Sequence, residues 1–556
     1  MTQSGVTPEE FSNAVILGLQ RWKAASSDLV GFDYWQGIDP TQFPPNSEYN
    51  GTSSIYFASN ANGDTHLTQN VLGMTQVWYN TESGEILETD IVLNDRNFYF
   101  TNNPTDTSGS GANPTTLTQG KPNVYIQNVI THEIGHALGL SHSGGLQSTM
   151  LFMESPEQAH LGCDELIGIH ALYPTSDLPH RGSLSGKVLT EAGHPIFGAH
   201  VLAISRKRGT VLATALTNPK GVYSLEELEP DDYFLMVEPF YAGFQALPNY
   251  FAPASASLCP GGTTFGRSFL NQPNNSDLTP IPVEAGKTAS APNLIAHCNS
   301  TGGASIFLTP PSGNLSSAPT ITAEVGIKNG FGIVDRLYKI LPNIYRPNYY
   351  HLLHISGHLE VHALSYSLYS PVHTSITLLS QEGRPVQTEV YDPIYSGESG
   401  FVNRDAAIVT NGLAPGNYII QVNAVGMESN DYPAGIVSLD NVPFLILTGS
   451  INDALPPLGE SIPLNARCKG QETFPHYNSP PGIPPKSQTH LSTPSAGGCG
   501  TTQNDRSRFR ASNSRDLTGT SPYTLLGWIL PWLVMSAMNR AAIHLHARRP
   551  RATLSK

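Results

Sequence analysis

The stretch THEIGHALGLSHSGGLQSTM, residues 131–150, decides how this 556-residue chain is read. His132 and His136 stand four apart, with Glu133 beside the first; Gly139, His142 and Met150 follow. The surrounding segment 121–139, KPNVYIQNVITHEIGHALG, carries Val124, Ile126, Val129, Ile130, Ile134, Ala137 and Leu138, a spacing that predicts a helix with one buried face. On such a helix both imidazoles project from the same side of adjacent turns. Gly139 admits a backbone conformation that other residues resist, so the chain can turn sharply there. His142 then swings back towards the first two histidines.

Three neutral imidazoles around a zinc ion leave a fourth position open, which is the arrangement of a catalytic rather than a structural site. Zinc lowers the pKa of water from about 15.7 to about 7. Glu133 is placed to take a proton from that water and to deliver it to a leaving amine. A lone helical histidine is ordinarily a solvated or core residue, but the full HExxHxxGxxH string is far more specific than any of its parts.

HExxHxxGxxH followed by a methionine turn resembles the metzincin signature. Ser143 directly after the third histidine, and Met150 eight residues beyond His142, are similar to the matrixin (matrix-metalloprotease-like) branch. DELIGIHALYP, residues 164–174, resembles that family's closing helix. The resemblance implies a zinc metalloendopeptidase acting on protein or peptide substrates, with His132, His136 and His142 as metal ligands and Glu133 as general base. It makes Met150 an apolar floor beneath the zinc that does not bond to it.

The N-terminal region fits. VTPEEFSNAVILGLQRWKAAS, residues 6–26, has Thr7 as N-cap, Pro8 at the first helical position and Glu10 closing a capping box. Phe11, Val15, Ile16, Leu19 and Trp22 recur along it at helical spacing. GFDYW (31–35), SSIYFAS (53–59), VLGMTQVWYN (71–80) and ILETDIVLN (86–94) read as strands. By the family resemblance, an edge strand above the zinc pairs with extended substrate through its main chain; the matching residues are Gly73, Met74 and Thr75. The same resemblance makes residues 151–161, LFMESPEQAHL, the wall of the pocket beside the scissile bond, although they depart from the family's usual pattern. Asp64 and His66 are too few to define a second zinc site. Asp90 and Asp95 are candidate calcium ligands, against the commoner reading as surface carboxylates.

Residues 1–175 hold 18 acidic and 4 basic side chains, a net −14, which argues against nucleic acid as a partner. Five cysteines, Cys163, Cys259, Cys298, Cys468 and Cys499, are too few for a disulfide scaffold. Cys259 and Cys298 are either a bridge or two buried thiols. The expected layout is multidomain. An α+β metzincin/matrixin-like catalytic domain (1–178) is followed by two all-β sandwich-like domains (179–300 and 301–468), a disordered Pro/Gly/Ser-rich linker (469–521) and a C-terminal hydrophobic segment with a basic tail (522–556). Strand-like runs alternating with turn signals such as EAGHP and NPKG predict a small antiparallel sandwich, and the landmarks G-x-V, G-A-x-V, T-x-x-x-G-x-Y and L-x-P-x-x-Y within residues 182–242 resemble the carboxypeptidase-regulatory-like domain. YYHLLHISGHLEVHALSYSLYS (349–370) has four histidines at irregular spacing, read as surface strand residues rather than a metal site.

Residues 523–538, YTLLGWILPWLVMSAM, are apolar enough to suggest membrane association, with Arg548, Arg549 and Arg551 as a cytoplasmic flank. The layout GGCG, spacer, apolar run, arginine cluster resembles the sorting tags of bacterial surface proteins, with Cys499 as an anchoring point. A secreted, cell-surface or envelope-associated location is therefore expected. MTQSGVTPEE has no signal-peptide character and no cysteine precedes residue 163, so a truncated N-terminus is expected too. The competing expectation is an inactive, protease-like surface adhesion or scaffolding protein.

Overall fold

The computed structural model describes residues 4–26, 29–32, 49–60, 67–69, 71–104, 117–145, 148–154, 158–174, 181–206, 210–239, 259, 265, 267–270, 280–298, 320–322, 333–341, 344–365, 368–370, 372–386, 389–391, 405–427, 442–448 and 497–498. The architecture is mixed α/β, with few helices and many strands in several sheets.

The first region runs α1 (Pro8–Ala25), β1 (Ser54–Phe57), β2 (Gly73–Tyr79), β3 (Ile86–Leu93), β4 (Tyr99–Thr101), β5 (Leu117–Thr118), β6 (Lys121–Tyr125), α2 (Ile126–Ala137), β7 (Met153–Glu154) and α3 (Cys163–Leu172). Helix α1 starts as its residues dictate. The Glu10 N–H donates to Thr7 Oγ1 at 3.2 Å, and the Thr7 N–H donates to Glu10 Oε2 at 2.7 Å. Its buried face is Ala14, Gly18, Leu19, Trp22 and Ala25, whereas Phe11, Val15 and Ile16 are only partly buried. The stripe is rotated from the apolar pattern because α2 packs against the small residues. A Cβ on Gly18 would lie 2.7 Å from Ile134 Cδ1.

Two expectations about α2 are corrected. Residues Lys121–Tyr125 form β6, parallel to β4, so the helix begins only at Ile126 and Val124 lies on a strand. Nor does α2 bury one face alone, since every residue from Ile126 to Gly135 is buried. It lies between α1 and the sheet, touching β2 and β3. That sheet has the order β1–β3–β2, with β1 parallel and β2 antiparallel to β3, so β2 is its edge.

The next region is built of β8 (Gly182–Thr190), β9 (Ala199–Ser205), β10 (Thr210–Leu216), β11 (Val222–Leu228), β12 (Asp231–Pro239), β13 (Ser268–Phe269), β14 (Ile281–Val283), β15 (Thr288–Ser290) and β16 (Leu294–Ala296). One sheet is β10–β9–β12–β13 with β14 on β12; the other is β11–β8–β15 with β16 on β8. The short strands after residue 265 thus complete both sheets. A Cys259–Cys298 disulfide, Cα–Cα 5.6 Å, resolves the alternative left open above.

Helix α3 lies against β10 and β11. Buried apolar contact runs without a break from Trp22, Ile134 and Ile169 into Leu184, Val201, Leu212 and Leu225. The first two regions therefore share one core.

The third block comprises β17 (Thr320–Thr322), β18 (Ile333–Leu341), β19 (Ile344–Arg346), β20 (Asn348–Leu364), β21 (Val372–Ser380), β22 (Glu389–Tyr391), β23 (Ala406–Met427) and β24 (Val442–Thr448). These strands join one hydrogen-bonded sheet around a separate core that includes Tyr350, Val361, Ile408 and Ile420. His351, His354, His358 and His362 lie on β20, but His362 is buried rather than at the surface. Its position on β20, paired with both β23 and β24, accounts for this.

Strand β25 (Gly497–Gly498) pairs with β7. Asp64, His66, most of GFDYW, Cys468, Cys499, the rest of the linker and residues 523–538 lie outside the described residues. Among the described residues, no helix is long and apolar enough to cross a membrane.

Candidate metal centre

Helix α2 presents His132 and His136 one turn apart, and its end is shaped to return the chain. The Gly139 N–H donates to His136 O at 2.9 Å and the Leu140 N–H to Gly135 O at 3.0 Å, with Gly139 at φ +96°. This is a Schellman closure, in which glycine occupies the left-handed position at no steric cost. His142 comes back against His136, with their Nε2 atoms 3.2 Å apart. The three imidazoles converge so that one nitrogen of each lies within 4.8 Å of the others. Among the described residues, no other histidine, cysteine and carboxylate group converges in this way.

Two backbone carbonyls fix the ring tautomers. His132 Nδ1 is 2.8 Å from Thr149 O, and His136 Nδ1 is 2.8 Å from Leu140 O. A carbonyl only accepts, so each Nδ1 carries the proton and each Nε2 keeps its lone pair for a ligand. Burial depresses the basicity of all three rings. His132 falls to about 3, through burial and then the neighbouring His136, and His136 falls to about 4, through burial. His142 is held well below the usual imidazole range by burial and by the other two. Three neutral imidazoles with converging nitrogens, two of them locked in one tautomer, fit a zinc ion.

Glu133 is buried beside this group, and burial raises its pKa to about 7. Thr75 Oγ1, on edge strand β2, lies 2.6 Å from Glu133 Oε2. Gly73 makes room for the carboxylate, since a Cβ there would sit 2.8 Å from Glu133 Oε1 and 2.9 Å from Val129 Cγ1. Met74 points the other way and packs with Tyr56, Ala58 and Val92. Phe152, in the segment expected as pocket wall, sets its ring edge-on to His142 with centroids 6.4 Å apart.

Met150 is buried beneath α2. A Cβ on Gly135 would run into Met150 Sδ and would lie 2.8 Å from Trp22 Cζ2, so the closeness of this turn depends on glycine. Glu165 secures the turn, accepting from the Met150 N–H at 3.0 Å, from the Gly162 N–H at 2.8 Å and from Ser148 Oγ. Ser143 donates its N–H to Met150 O at 2.7 Å and its hydroxyl to Asp164 Oδ2 at 2.9 Å.

Asp90 and Asp95 are not surface carboxylates. Both are buried, Asp90 accepting from Ser54 and Asp95 from Ser59, where they tie β3 to β1 and the turn after it. Sequence reading missed several supporting groups: Gly135, the carbonyls of Leu140 and Thr149, Glu165 beneath the methionine turn, and the Thr75 side chain. Only Gly135 left a signal, as a glycine in a helix interior where alanine is ordinarily better.

Residues 11–174 match the family model described as matrixin, and this part of the chain is a matrixin-like metzincin domain. No curated protein matches the chain. Among solved structures, it is similar to BcpA, the major pilin subunit of Bacillus cereus, at 9% identity, with 44% of this chain and 58% of that one covered and a TM-score of 0.13. The Bacillus anthracis TIE protein is 10% identical over 49% of this chain and 31% of that one, TM-score 0.13. The major pilin SpaD of Corynebacterium diphtheriae is 9% identical over 45% and 56%, TM-score 0.13. The chain thus spans less than two thirds of each of these neighbours, and similarity at that level carries no argument about function.

Proposed function

We propose that this protein is a zinc-dependent endopeptidase that hydrolyses peptide bonds in proteins. The observation that carries the reading is the set of three neutral imidazoles, two of them locked through Nδ1, around one point beside a buried glutamate. His132, His136 and His142 would hold the ion. When bound, zinc supplies Lewis acidity to the scissile carbonyl and to water.

Glu133 moves the protons. In the metal-free protein it is poised near 7, and a cation beside it pulls its pKa down, so the carboxylate is ionised at neutral pH. Thr75 holds Oε2 in place, leaving Oε1 to accept a proton from the attacking water and pass it to the departing amine. The edge of β2 offers main-chain groups of Gly73, Met74 and Thr75 to an extended substrate, with Phe152 on the wall of the pocket.

The test is casein cleavage by the zinc-loaded full-length chain, with and without a chelator, beside Glu133→Gln. Chelation should abolish cleavage, and the substitution should slow it by about 10²- to 10⁴-fold. Cleavage that ignores the chelator or survives the substitution contradicts the mechanism. A loaded chain that cleaves nothing favours the inactive adhesion or scaffolding reading.

A further inference from the structure

The loop that carries the third histidine is not held by the protease-like region alone. Asp164, on α3, accepts from the Ser143 hydroxyl on one side. On the other side it accepts twice from Thr214 of β10, whose N–H donates to Oδ1 at 2.6 Å and whose hydroxyl donates to Oδ2 at 2.7 Å. The two hydroxyl oxygens approach to 3.1 Å as they converge on Oδ2. Ser143 Oγ in turn accepts the Gly145 N–H at 3.1 Å. Thr214 therefore stands two hydrogen bonds from the residue next to His142.

Asp164 also has a buried polar group on its β9 side. His200 on the neighbouring β9 acts electrostatically on Asp164. His200 Nδ1 lies 3.0 Å from Glu238 Oε1, and Arg267 Nε donates to Glu238 Oε2 at 2.6 Å, with all three side chains buried. The third block reaches the same loop independently. Tyr369 is buried at φ +57°, and its ring would lie 2.5 Å from a Cβ on Gly145. A non-glycine residue in that backbone region persists only where its surroundings hold it.

We infer that Thr214 is a positioning residue for the metal centre, holding Asp164 and through it the Ser143 backbone that aims His142, so that the β region after residue 178 is a working part of the site. The inference rests on the zinc reading of the three histidines. Outer partners of metal ligands act by orienting them, and their loss costs affinity for the ion even where the ligands remain. Thr214→Val removes the hydroxyl bonds while keeping the shape and the N–H bond.

The experiment measures Zn²⁺ affinity of the metal-stripped full-length chain by competition with a chromophoric chelator. Thr214→Val should bind zinc about tenfold more weakly than wild type, and Thr214→Ser should restore binding. Thr217→Val is the control. Its hydroxyl donates to Ile196 O at 2.6 Å and accepts the Ala199 N–H at 2.8 Å, within the same β region. It should melt at lower temperature with zinc affinity unchanged. Should Thr214→Val not fold, Asp164→Asn is read by the same criteria. Wild-type affinity in Thr214→Val, or an equal loss in Thr217→Val, overturns the inference. A wild-type chain that binds no zinc overturns the protease reading itself.

Discussion

Gly135 sits between the two helix histidines and shows how much of the site depends on what is missing from a side chain. Replacing an interior helix glycine by alanine ordinarily gains about 1 kcal/mol. Here the added methyl meets Met150 Sδ, which can move, and the ring of Trp22, which cannot. Trp22 is fully buried, and its Nε1–H donates to Thr131 O at 2.8 Å. Overpacking of about 1–3 kcal/mol should therefore win over propensity. Gly135→Ala is expected to unfold at lower urea concentration than wild type; a variant at least as stable would show that the turn beneath the helix adapts freely. At this scale the sequence was most legible where chemistry belongs to residue type at short spacing, as for His132, Glu133, His136, Gly139 and Met150. It was silent where a carbonyl does the work, because every residue has one.

Helix α2 enters without a side-chain cap from its N-cap residue, Tyr125. A more distant residue does this job. Glu154 on β7 accepts from the Tyr125 backbone and from Asn128 Nδ2 at 3.2 Å, placing a carboxyl group at the positive end of the helix. Burial nevertheless dominates and raises its pKa to about 7. A carboxyl group whose folded pKa lies above its unfolded value contributes stability that is fully present below about 4.5 and lost as pH rises through about 7. Glutamine titrates nowhere in that range. The stability of Glu154→Gln relative to wild type should thus increase between pH 5 and pH 8, by about 3 kcal/mol at most. Urea unfolding of both proteins at the two pH values checks this, and a constant difference would refute it. The same element shows why strand and helix were confused at its start. Val124 and Ile126 suit either structure, and only pairing with β4 makes residues 121–125 a strand.

At the scale of the whole molecule, the boundary drawn near residue 178 from composition and turn signals separates sequence patterns more than it separates cores. Helix α3, which closes the matrixin-like region, is covered by β10 and β11, and the apolar contacts are continuous across the join. Nothing in ATALTNPKG announces that Thr214 reaches back 50 residues to Asp164, because long-range pairing leaves no local periodicity. The acidic N-terminal region, the helix–strand–helix order and the β-rich remainder were legible because each follows from local patterns. The support of the His142 loop by two later regions was not.

The central claim is that three imidazoles hold one zinc ion and leave a coordination position open. X-ray absorption at the zinc edge of the full-length chain, compared with His142→Ala, tests it most directly. The account predicts one zinc per chain with three nitrogen ligands at about 2.0–2.1 Å and one exchangeable oxygen, the imidazole signal weakening in the variant. A chain that takes up no zinc, or one whose ion is closed off by a fourth protein ligand, would contradict it.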